Sequence, residues 1–287
     1  MKVILFGSTG QLGKDIISSA PKNIELITPL RQEVDLINPE ECFKFTVFHQ
    51  ADWVINSAAF TNVDKSETEK DIAMTINALS PKFIAKGVEE TGGKLVFIST
   101  DYVFDGKQNF PYKTNQPVCP INFYGKSKAK GEEYIQEIIQ KNNDLCIIRT
   151  SWLMSSNGNN FATKILKLLK EKELIKVVND QIGSPTTTGT LAKAIWDTIK
   201  SNISFSRENK KFPRINHYCN DGVASWYDIA MEIQEIGLNK GLLKDKSKII
   251  PIATQDFPTP ASRPKYSVLD SIESKKLIKN ENIHWRR

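Results

Sequence analysis

The sequence predicts an α/β protein, with a doubly wound parallel sheet in its first half and a second, smaller α/β domain after it. Short apolar runs alternate with stretches of helical periodicity as far as residue 150, and this alternation is typical of parallel strands joined by helices. The first apolar run leads directly into a glycine-rich turn and then a helix. After Trp152 the alternation becomes irregular, which predicts the second domain.

The first strand–turn–helix unit carries the clearest binding signal. Residues 2–6 are apolar enough for a buried strand, residues 14–20 favour a helix, and GSTGQLG lies between them. Glycines at such a turn remove the Cβ atoms that would block a close approach, so backbone N–H groups and the helix N-terminus can bind a pyrophosphate. The spacing is GxxGxxG rather than GxGxxG. We predict a dinucleotide site at Gly7, Gly10 and Gly13.

Arg31 follows the second predicted strand, in the turn that ends it. In dinucleotide-binding sheets this place holds an acid for a ribose 2′-hydroxyl or an arginine for a 2′-phosphate. No acid ends the strand, since Glu33 and Asp35 come later. This pattern favours NADPH, with NADH as the alternative cofactor. An exposed loop arginine without a partner is the other interpretation of Arg31.

The rest of the first half continues the alternation. Apolar residues at helical spacing predict its helices, and short apolar runs predict its buried strands. The helices are expected at residues 40–49, 67–91 and 122–141, and the strands at 24–28, 53–56, 95–98 and 146–150. Small or polar residues follow the strands that end at 56 and 98, where a sheet edge would meet a ligand.

The second half mixes helices, strands and loops. Helices are expected at residues 161–172, 191–200 and 225–236, strands at 175–178 and 215–219, loops at 157–160 and 180–186, and a polar surface insertion at 201–214. We predict a dinucleotide-binding domain over residues 1–152, to which elements of about 174–200 and 215–236 return. The smaller, interleaved substrate domain would span residues 153–287.

Composition excludes several classes of protein. The net charge of +6 has no basic cluster interleaved with aromatics, so we expect no nucleic-acid partner. No apolar run approaches the roughly 20 residues that span a bilayer, and no signal-peptide pattern is present. We therefore expect a cytoplasmic protein without a membrane partner. The four cysteines and three histidines lack the spacing of metal ligands, so we predict no metal site.

Tyr124 and Lys128 are four residues apart on a predicted helix, so they share one face. Reduction of a ketone requires a proton for the developing alkoxide, and a nearby ammonium lowers the pKa of a tyrosine towards the working range. Thr100 lies just past a strand end, where its hydroxyl could orient a substrate oxygen. A YxxxK spacing also arises on solvated helix faces. Its combination with the glycine turn and Thr100 favours catalysis by the three residues.

Several motifs together resemble one known family. They are GSTGQLG at 7–13, NSAAFTNVDKSE at 56–67, STDYVFDG at 99–106, INFYGKSKAKGE at 121–132, RTSW at 149–152, NNF at 159–161, NDQIGSPT at 179–186 and TPASRP at 259–264. They cover nearly the whole chain. The sequence is similar to the extended short-chain dehydrogenase/reductases, which have a Rossmann sheet, and among them to the dTDP-4-dehydrorhamnose reductase family.

The resemblance implies roles for individual residues. It implies catalysis by Thr100, Tyr124 and Lys128. The implied cofactor contacts are Gly7, Thr9, Gly10, Gln11, Leu12, Gly13, Asp35, Leu36, Ala58, Ala59, Thr61, Ser99, Tyr124 and Lys128, to which we add Arg31. The implied substrate contacts are Thr100, Asp101, Val103, Trp152, Asn160 and Arg263.

Two of the substrate contacts also have a physical rationale. The indole of Trp152 could stack on a base or pack over a sugar, although a core tryptophan is equally consistent with the sequence. Arg263 lies between prolines in a stiff turn and could bind a diphosphate, or it could be a solvated loop arginine. Some relatives dimerise through a metal held by acidic side chains. Residues 186–190 offer no carboxylate for such an ion.

The expected activity is reduction of the 4-keto group of a nucleotide-linked deoxysugar, dTDP-4-dehydro-L-rhamnose, by a monomer or homodimer. The base and the sugar stereochemistry are not readable from motifs, so another 4-keto-6-deoxy sugar nucleotide is one alternative. A binding protein is the other, because the regulatory subunit of some methionine adenosyltransferases has this fold and binds NADP. Intact Thr100, Tyr124 and Lys128 favour the enzyme.

Overall fold

The computed structural model describes residues 1–156 and 158–287. Its strands are β1 (Lys2–Phe6), β2 (Glu25–Ile27), β3 (Trp53–Asn56), β4 (Lys94–Thr100), β5 (Leu145–Thr150), β6 (Leu153–Met154), β7 (Leu174–Val178), β8 (Ile182–Gly183), β9 (Thr186–Thr187), β10 (Ile215–His217), β11 (Ala224–Ser225) and β12 (Lys248–Ile252). Its α-helices are α1 (Gln11–Ser18), α2 (Pro39–His49), α3 (Lys70–Met74), α4 (Ser80–Thr91), α5 (Phe123–Ile138), α6 (Phe161–Glu171), α7 (Thr188–Arg207), α8 (Trp226–Asn239) and α9 (Ile272–Ile278). A π-helical turn, Thr75–Leu79, joins α3 to α4.

In the described chain six strands pair in parallel in the order β2-β1-β3-β4-β5-β10. From β1 the chain first adds β2 on one side and then β3 on the other, so the direction of strand addition reverses at β1. Ligands of doubly wound sheets bind beyond the carboxyl ends of the strands at such a point. The predicted doubly wound parallel sheet is confirmed.

Two layers of helices bury the faces of the sheet. On one face, α2, α4 and α5 contribute Cys42, Ile84 and Ile135 to a cluster with the strand side chains. On the other face, α1 and α7 contribute Ile16 and Ile195 to a second cluster. Both clusters are continuous apolar cores, and burial of this kind is the main favourable contribution to folding. No helix among the described residues has the length and apolar character needed to span a membrane.

A separate apolar cluster lies outside the central sheet. It joins α6 and α8 to β7 and β12, which pair in parallel from Lys248 opposite Leu174 to Ile252 opposite Val178. Within the ranges expected to return to the first domain, α7 and β10 lie on the central sheet, whereas β7 and α8 pack in this separate cluster. The domain division at residue 152 stays a prediction.

Several expectations differ from the structure. The expected loop at 180–186 contains β8 and the first residue of β9, because both strands pair with distant parts of the chain. The first helix begins at Gln11 rather than residue 14, because the glycine turn closes early and Gly10 directly precedes the helix. The expected surface insertion at 201–214 is wrong for residues 201–207, which belong to α7, whereas residues 208–211 are exposed as expected. Asn202 and Phe212 are buried, and the Asn202 side chain accepts a hydrogen bond from Lys94 Nζ at 3.1 Å. The expected loop at 157–160 begins at Asn157, which lies outside the described residues.

Candidate active site

A cleft of about 820 Å³ opens at the carboxyl ends of β1, β3, β4 and β5. Its size is typical of a site for a large organic ligand, and its position matches the reversal point of the sheet. The cleft brings together nearly all the residues that the sequence nominates. Those lining it are Gly7, Thr9, Gly10, Gln11, Leu12, Gly13, Arg31, Asp35, Leu36, Ala58, Ala59, Thr61, Ser99, Thr100, Asp101, Tyr124, Lys128, Trp152 and Asn160.

The glycine-rich turn forms one end of the cleft. Gly7 has a φ of 88°, and a Cβ there would lie 2.6 Å from the Ala58 nitrogen. A Cβ at Gly13 would lie 2.1 Å from the Gly7 carbonyl oxygen. The turn therefore packs against α1 only with glycine at position 13, and against the segment after β3 only with glycine at position 7. No described side chain caps α1 at Gly10. The first N–H groups of the helix are thus left for an anion, as a pyrophosphate site requires.

Arg31 lines the cleft beside Asp35 and Leu36. Its Nε lies 3.2 Å from Asp35 Oδ2, and the two side chains are 73% and 38% exposed. The arginine is therefore on the surface but has a carboxylate partner. An ion pair this exposed contributes little and can be exchanged for a phosphate.

The three candidate catalytic residues meet in the middle of the cleft. Thr100 ends β4, Tyr124 lies in the first turn of α5, and Lys128 lies one turn further along the same helix. Lys128 is 2% exposed and donates a hydrogen bond of 2.6 Å to the Ile98 carbonyl oxygen. Burial lowers the pKa of Lys128 to about 7, and the negative charge of Glu132 opposes this shift. The Lys128 amine is thus partly charged and partly neutral near pH 7.

Tyr124 differs from the expectation. Burial raises the pKa of Tyr124 to about 12, against a lowering by the Thr100 hydroxyl. Burial therefore outweighs the lowering that we expected from Lys128. The phenol keeps its proton at neutral pH, which is the form that a proton donor needs.

A buried charged network supports α5 behind the cleft. Glu132 accepts hydrogen bonds from Arg149 at 2.6 Å and from Ser99 Oγ at 2.5 Å. Arg149 Nη1 lies 3.5 Å from Nε2 of His217. The other ring nitrogen of His217, Nδ1, lies 3.0 Å from the Tyr112 carbonyl oxygen. Burial and the adjacent Arg149 lower the pKa of His217 to about 3, so the ring stays neutral. The network joins the helix that carries Lys128 to β4, β5 and β10.

Asp101 follows Thr100 and is 2% exposed. Its Oδ1 accepts a hydrogen bond from Thr100 Oγ1 at 3.0 Å, while its Oδ2 has no hydrogen-bond partner among the described residues. Burial raises the pKa of Asp101 to about 7, against lowering by Ser267 and Thr100. Asp101 lines the cleft beside Thr100, so its carboxyl is a candidate partner for a ligand hydroxyl.

Asn160, which also lines the cleft, connects the second half of the chain to the glycine-rich turn through a hydrogen bond. Its side chain caps α6 at Thr163 and donates to Gln11 Oε1 at 2.8 Å. Gln11 Nε2 in turn donates to the Asn159 carbonyl oxygen at 3.5 Å. Gln11, a predicted cofactor contact, and Asn160, a predicted substrate contact, are therefore joined by a direct hydrogen bond.

Two predicted substrate contacts do not line the cleft. Val103 is fully buried in an apolar cluster with Phe104, so its side chain is not available to a ligand. Arg263 forms a bidentate ion pair with Asp64, with Nη2 2.8 Å from Oδ2 and Nη1 3.0 Å from Oδ1. Arg263 is thus neither free nor in the cleft wall in this structure, because the loop before α3 supplies its anion.

Trp226 also lines the cleft, and sequence reasoning did not nominate it. It begins α8, and its indole stacks on that of Trp152 with ring centroids 3.6 Å apart. Phe161 packs against Trp226 at 4.5 Å and lines the cleft as well. No local spacing marks these residues, because pairing of distant strands brings Trp226 to the cleft.

Comparison with known proteins gives a consistent result. The family model described as "RmlD substrate binding domain" matches residues 1–287. The chain is 38% identical to the spore coat polysaccharide biosynthesis protein SpsK of Bacillus subtilis, over 99% of this chain and 94% of that protein. It is 35% identical to the dTDP-4-dehydrorhamnose reductase of Salmonella typhimurium, over 94% of this chain and 90% of that enzyme.

A solved structure agrees with these relatives. The dTDP-4-dehydrorhamnose reductase of Bacillus anthracis, in complex with NADP, superposes with a TM-score of 0.88 at 32% identity. The superposition covers 99% of this chain and 95% of that one. The likeness therefore extends over the central sheet and the cluster outside it.

Proposed function

Because the chain belongs to the family described as RmlD substrate binding domain, we propose that it is an NADPH-dependent reductase of dTDP-4-dehydro-L-rhamnose. The Salmonella typhimurium enzyme named for this activity covers 94% of the chain, and the Bacillus anthracis enzyme of the same name, solved with NADP, covers 99% of it. The observation that carries the proposal is the meeting of Thr100, Tyr124 and Lys128 in one cleft with the glycine turn. The product would be dTDP-L-rhamnose, a sugar donor for cell-surface polysaccharide.

The residues present fit a dinucleotide. The uncapped N-terminus of α1 and the crowding that excludes a Cβ at Gly7 and Gly13 form a backbone cradle for a pyrophosphate. Asp35 and Leu36 would flank the adenine, and Arg31 would bind a 2′-phosphate in place of Asp35. The remaining contacts would come from Thr9, Gly10, Gln11, Leu12, Ala58, Ala59, Thr61 and Ser99. NADPH supplies a hydride when it is bound.

Side chains of this protein would supply the proton that the reduced carbonyl oxygen needs. Tyr124, protonated at neutral pH, would donate its phenolic proton to the alkoxide oxygen. Thr100 would donate a hydrogen bond to the same oxygen and so orient the carbonyl. Lys128 would stabilise the phenolate that remains, which requires its charged form. Electrostatic contacts of this kind contribute most where water is excluded, as at the buried Lys128.

The sugar nucleotide would be bound at the far end of the cleft. Asp101 lines the cleft and could accept a hydrogen bond from a sugar hydroxyl, and Asn160 and Trp152 also line the cleft. Arg263 remains our candidate for the diphosphate, and to bind it the side chain must leave or share Asp64. We further propose a cytoplasmic protein that is a monomer or homodimer and binds neither nucleic acid nor membrane.

The test is an absorbance assay of NADPH oxidation with the purified protein and dTDP-4-dehydro-L-rhamnose. Turnover by the wild type is expected. Tyr124→Phe should keep NADPH binding and lose about 10²–10⁴-fold in kcat, the usual effect of a positioned general acid. Turnover only with a 4-keto-6-deoxy sugar on another base would show a different reductase. Tight NADPH binding without any turnover would instead favour the binding protein.

A further inference from the structure

Two stacked indoles form part of the cleft wall. The rings of Trp152 and Trp226 are 3.6 Å apart and their planes differ by 3°. Trp152 is 9% exposed, so little of its surface is left to contact a ligand. Trp152 therefore cannot offer an open face to a base or sugar while Trp226 covers it.

The backbone of Trp152 needs external support. Its φ is 47°, in the left-handed region that a bulky side chain rarely adopts. Such conformations persist only where the surrounding structure determines them, and they occur at ligand sites. Trp152 lies two residues beyond Thr150, which pairs in register with Thr100. The orientation of its ring is thus fixed close to the proposed reaction centre.

A short antiparallel ladder supplies this support from distant parts of the chain. β8 and β11 pair with Gly183 opposite Ala224, and Trp226 follows β11 directly. A Cβ at Gly183 would lie 2.4 Å from Cε2 of the Trp152 ring, so only glycine leaves room for the indole. Gln181, just before β8, accepts a hydrogen bond of 3.0 Å from Trp226 Nε1 and so fixes the second indole.

We propose that Trp226 is a positioning residue for the sugar nucleotide, acting through Trp152. The stack and the ladder hold the Trp152 indole in one orientation, so that its remaining exposed part forms a rigid apolar edge beside the reacting sugar. A rigid wall lowers the ordering cost of binding. This inference rests on the proposed function, because it assigns part of the substrate site of the same reaction.

The first test compares Trp226→Phe with a matched control, Trp196→Phe. Trp196 is also buried and donates its indole N–H to the Ile16 carbonyl oxygen at 3.1 Å, but it lies in the core between α7 and α1. Trp226→Phe should raise KM for the nucleotide sugar about tenfold, with kcat and the Kd of NADPH within about twofold. Trp196→Phe should lower thermal stability and leave KM unchanged. An unchanged KM in Trp226→Phe would overturn the inference.

A double-mutant cycle separates action through Trp152 from direct contact. If Trp226 acts through Trp152, the double variant Trp152→Leu/Trp226→Leu should raise KM no more than Trp152→Leu alone. Additive effects would show independent contacts and overturn the inference. Stacked indoles also give an exciton couplet in far-ultraviolet circular dichroism, which either single leucine variant should abolish. Its persistence would contradict the stack.

The outcome for the wild type distinguishes this inference from the proposed function. If the wild type reduces dTDP-4-dehydro-L-rhamnose and the cycle is additive, the inference fails and the function stands. If the wild type reduces no sugar nucleotide, the function fails, and the same cycle is measured on dTDP-L-rhamnose binding by calorimetry. Non-additive losses of affinity for dTDP-L-rhamnose would then support the role of Trp226, and additive or absent losses would refute it.

Discussion

Replacement of Lys128 by methionine is expected to stabilise the cofactor-free protein although it removes a proposed catalytic group. The ammonium is 2% exposed, and burial lowers its pKa from 10.5 to about 7. At roughly 1.4 kcal/mol per pKa unit, this shift corresponds to about 5 kcal/mol of destabilisation when the ammonium is charged. Loss of the hydrogen bond to the Ile98 carbonyl oxygen reduces this gain in stability by about 1 kcal/mol. A net gain of about 3–4 kcal/mol is expected below neutral pH.

The dependence on pH identifies the cause. Because the pKa of Lys128 is lower in the folded state, the unfolded chain binds more protons between about pH 7 and 10.5, and stability rises with pH in this window. The advantage of Lys128→Met should therefore be largest below about pH 7 and shrink by about 1.4 kcal/mol per pH unit above it. Urea denaturation without cofactor at about pH 6, 8 and 10 measures this. Lys126→Met, exposed on the same helix, is the control. A difference that does not vary with pH would refute the reasoning.

Two further predictions concern charged pairs. Arg31→Ala should weaken NADPH binding about tenfold or more in calorimetric titration and leave NADH nearly unchanged, because one charge-assisted contact contributes roughly 1.5–3 kcal/mol. Equal losses for both cofactors would show that Arg31 does not discriminate. Glu132→Gln should lower the free energy of unfolding by about 3–5 kcal/mol, because Arg149 is left buried without its carboxylate. A loss below about 1 kcal/mol in urea denaturation would contradict a buried pair.

The strands β1 to β5 were readable from the sequence because each lies within a short, largely apolar run, whereas the two-residue strands β6, β8, β9 and β11 were not predicted. The predicted bounds of β1 and β3 match the structure residue for residue, and the doubly wound sheet followed from the same apolar runs. The family was indicated separately, by the resemblance of the quoted motifs, and the family model agrees with it. Residues 201–207 of α7 were not readable, since their polar side chains resemble a solvated loop. Contact with Lys94 and the core stabilises that turn of helix, and neither partner is close in sequence.

The residues of the candidate site likewise include some that a local sequence pattern indicates and some that it does not. The glycine turn, Tyr124 and Lys128 are marked by local spacing, so their presence in one cleft could be predicted. Trp226 and the Arg149–Glu132 pair depend on partners that the tertiary fold selects, and no local pattern indicates them. The pKa of Tyr124 was mispredicted for a related reason, because the extent of burial is a property of the folded cleft.

Arg263 provides the sharpest test of how substrate binding is divided from cofactor binding. The sequence nominates it for a diphosphate, whereas the structure pairs it with Asp64 and also bonds Nη1 to the Ala261 carbonyl oxygen at 2.8 Å. If Arg263 only ties its turn to the loop of Asp64, then Asp64→Asn and Arg263→Met should have the same effect. If it exchanges Asp64 for a diphosphate, the two variants should differ.

We expect them to differ. The pair is partly exposed, 20% for Arg263 and 36% for Asp64, so either variant should lower the free energy of unfolding by only about 0–1 kcal/mol. Arg263→Met should raise KM for the sugar nucleotide about tenfold, with the Kd of NADPH within about twofold, since a diphosphate contact remote from the carbonyl supplies mostly uniform binding. Asp64→Asn should leave KM unchanged or lower it, because the guanidinium is freed. Steady-state kinetics and cofactor titration on both variants decide between the roles, and an equal rise of KM in the two would assign Arg263 to structure alone.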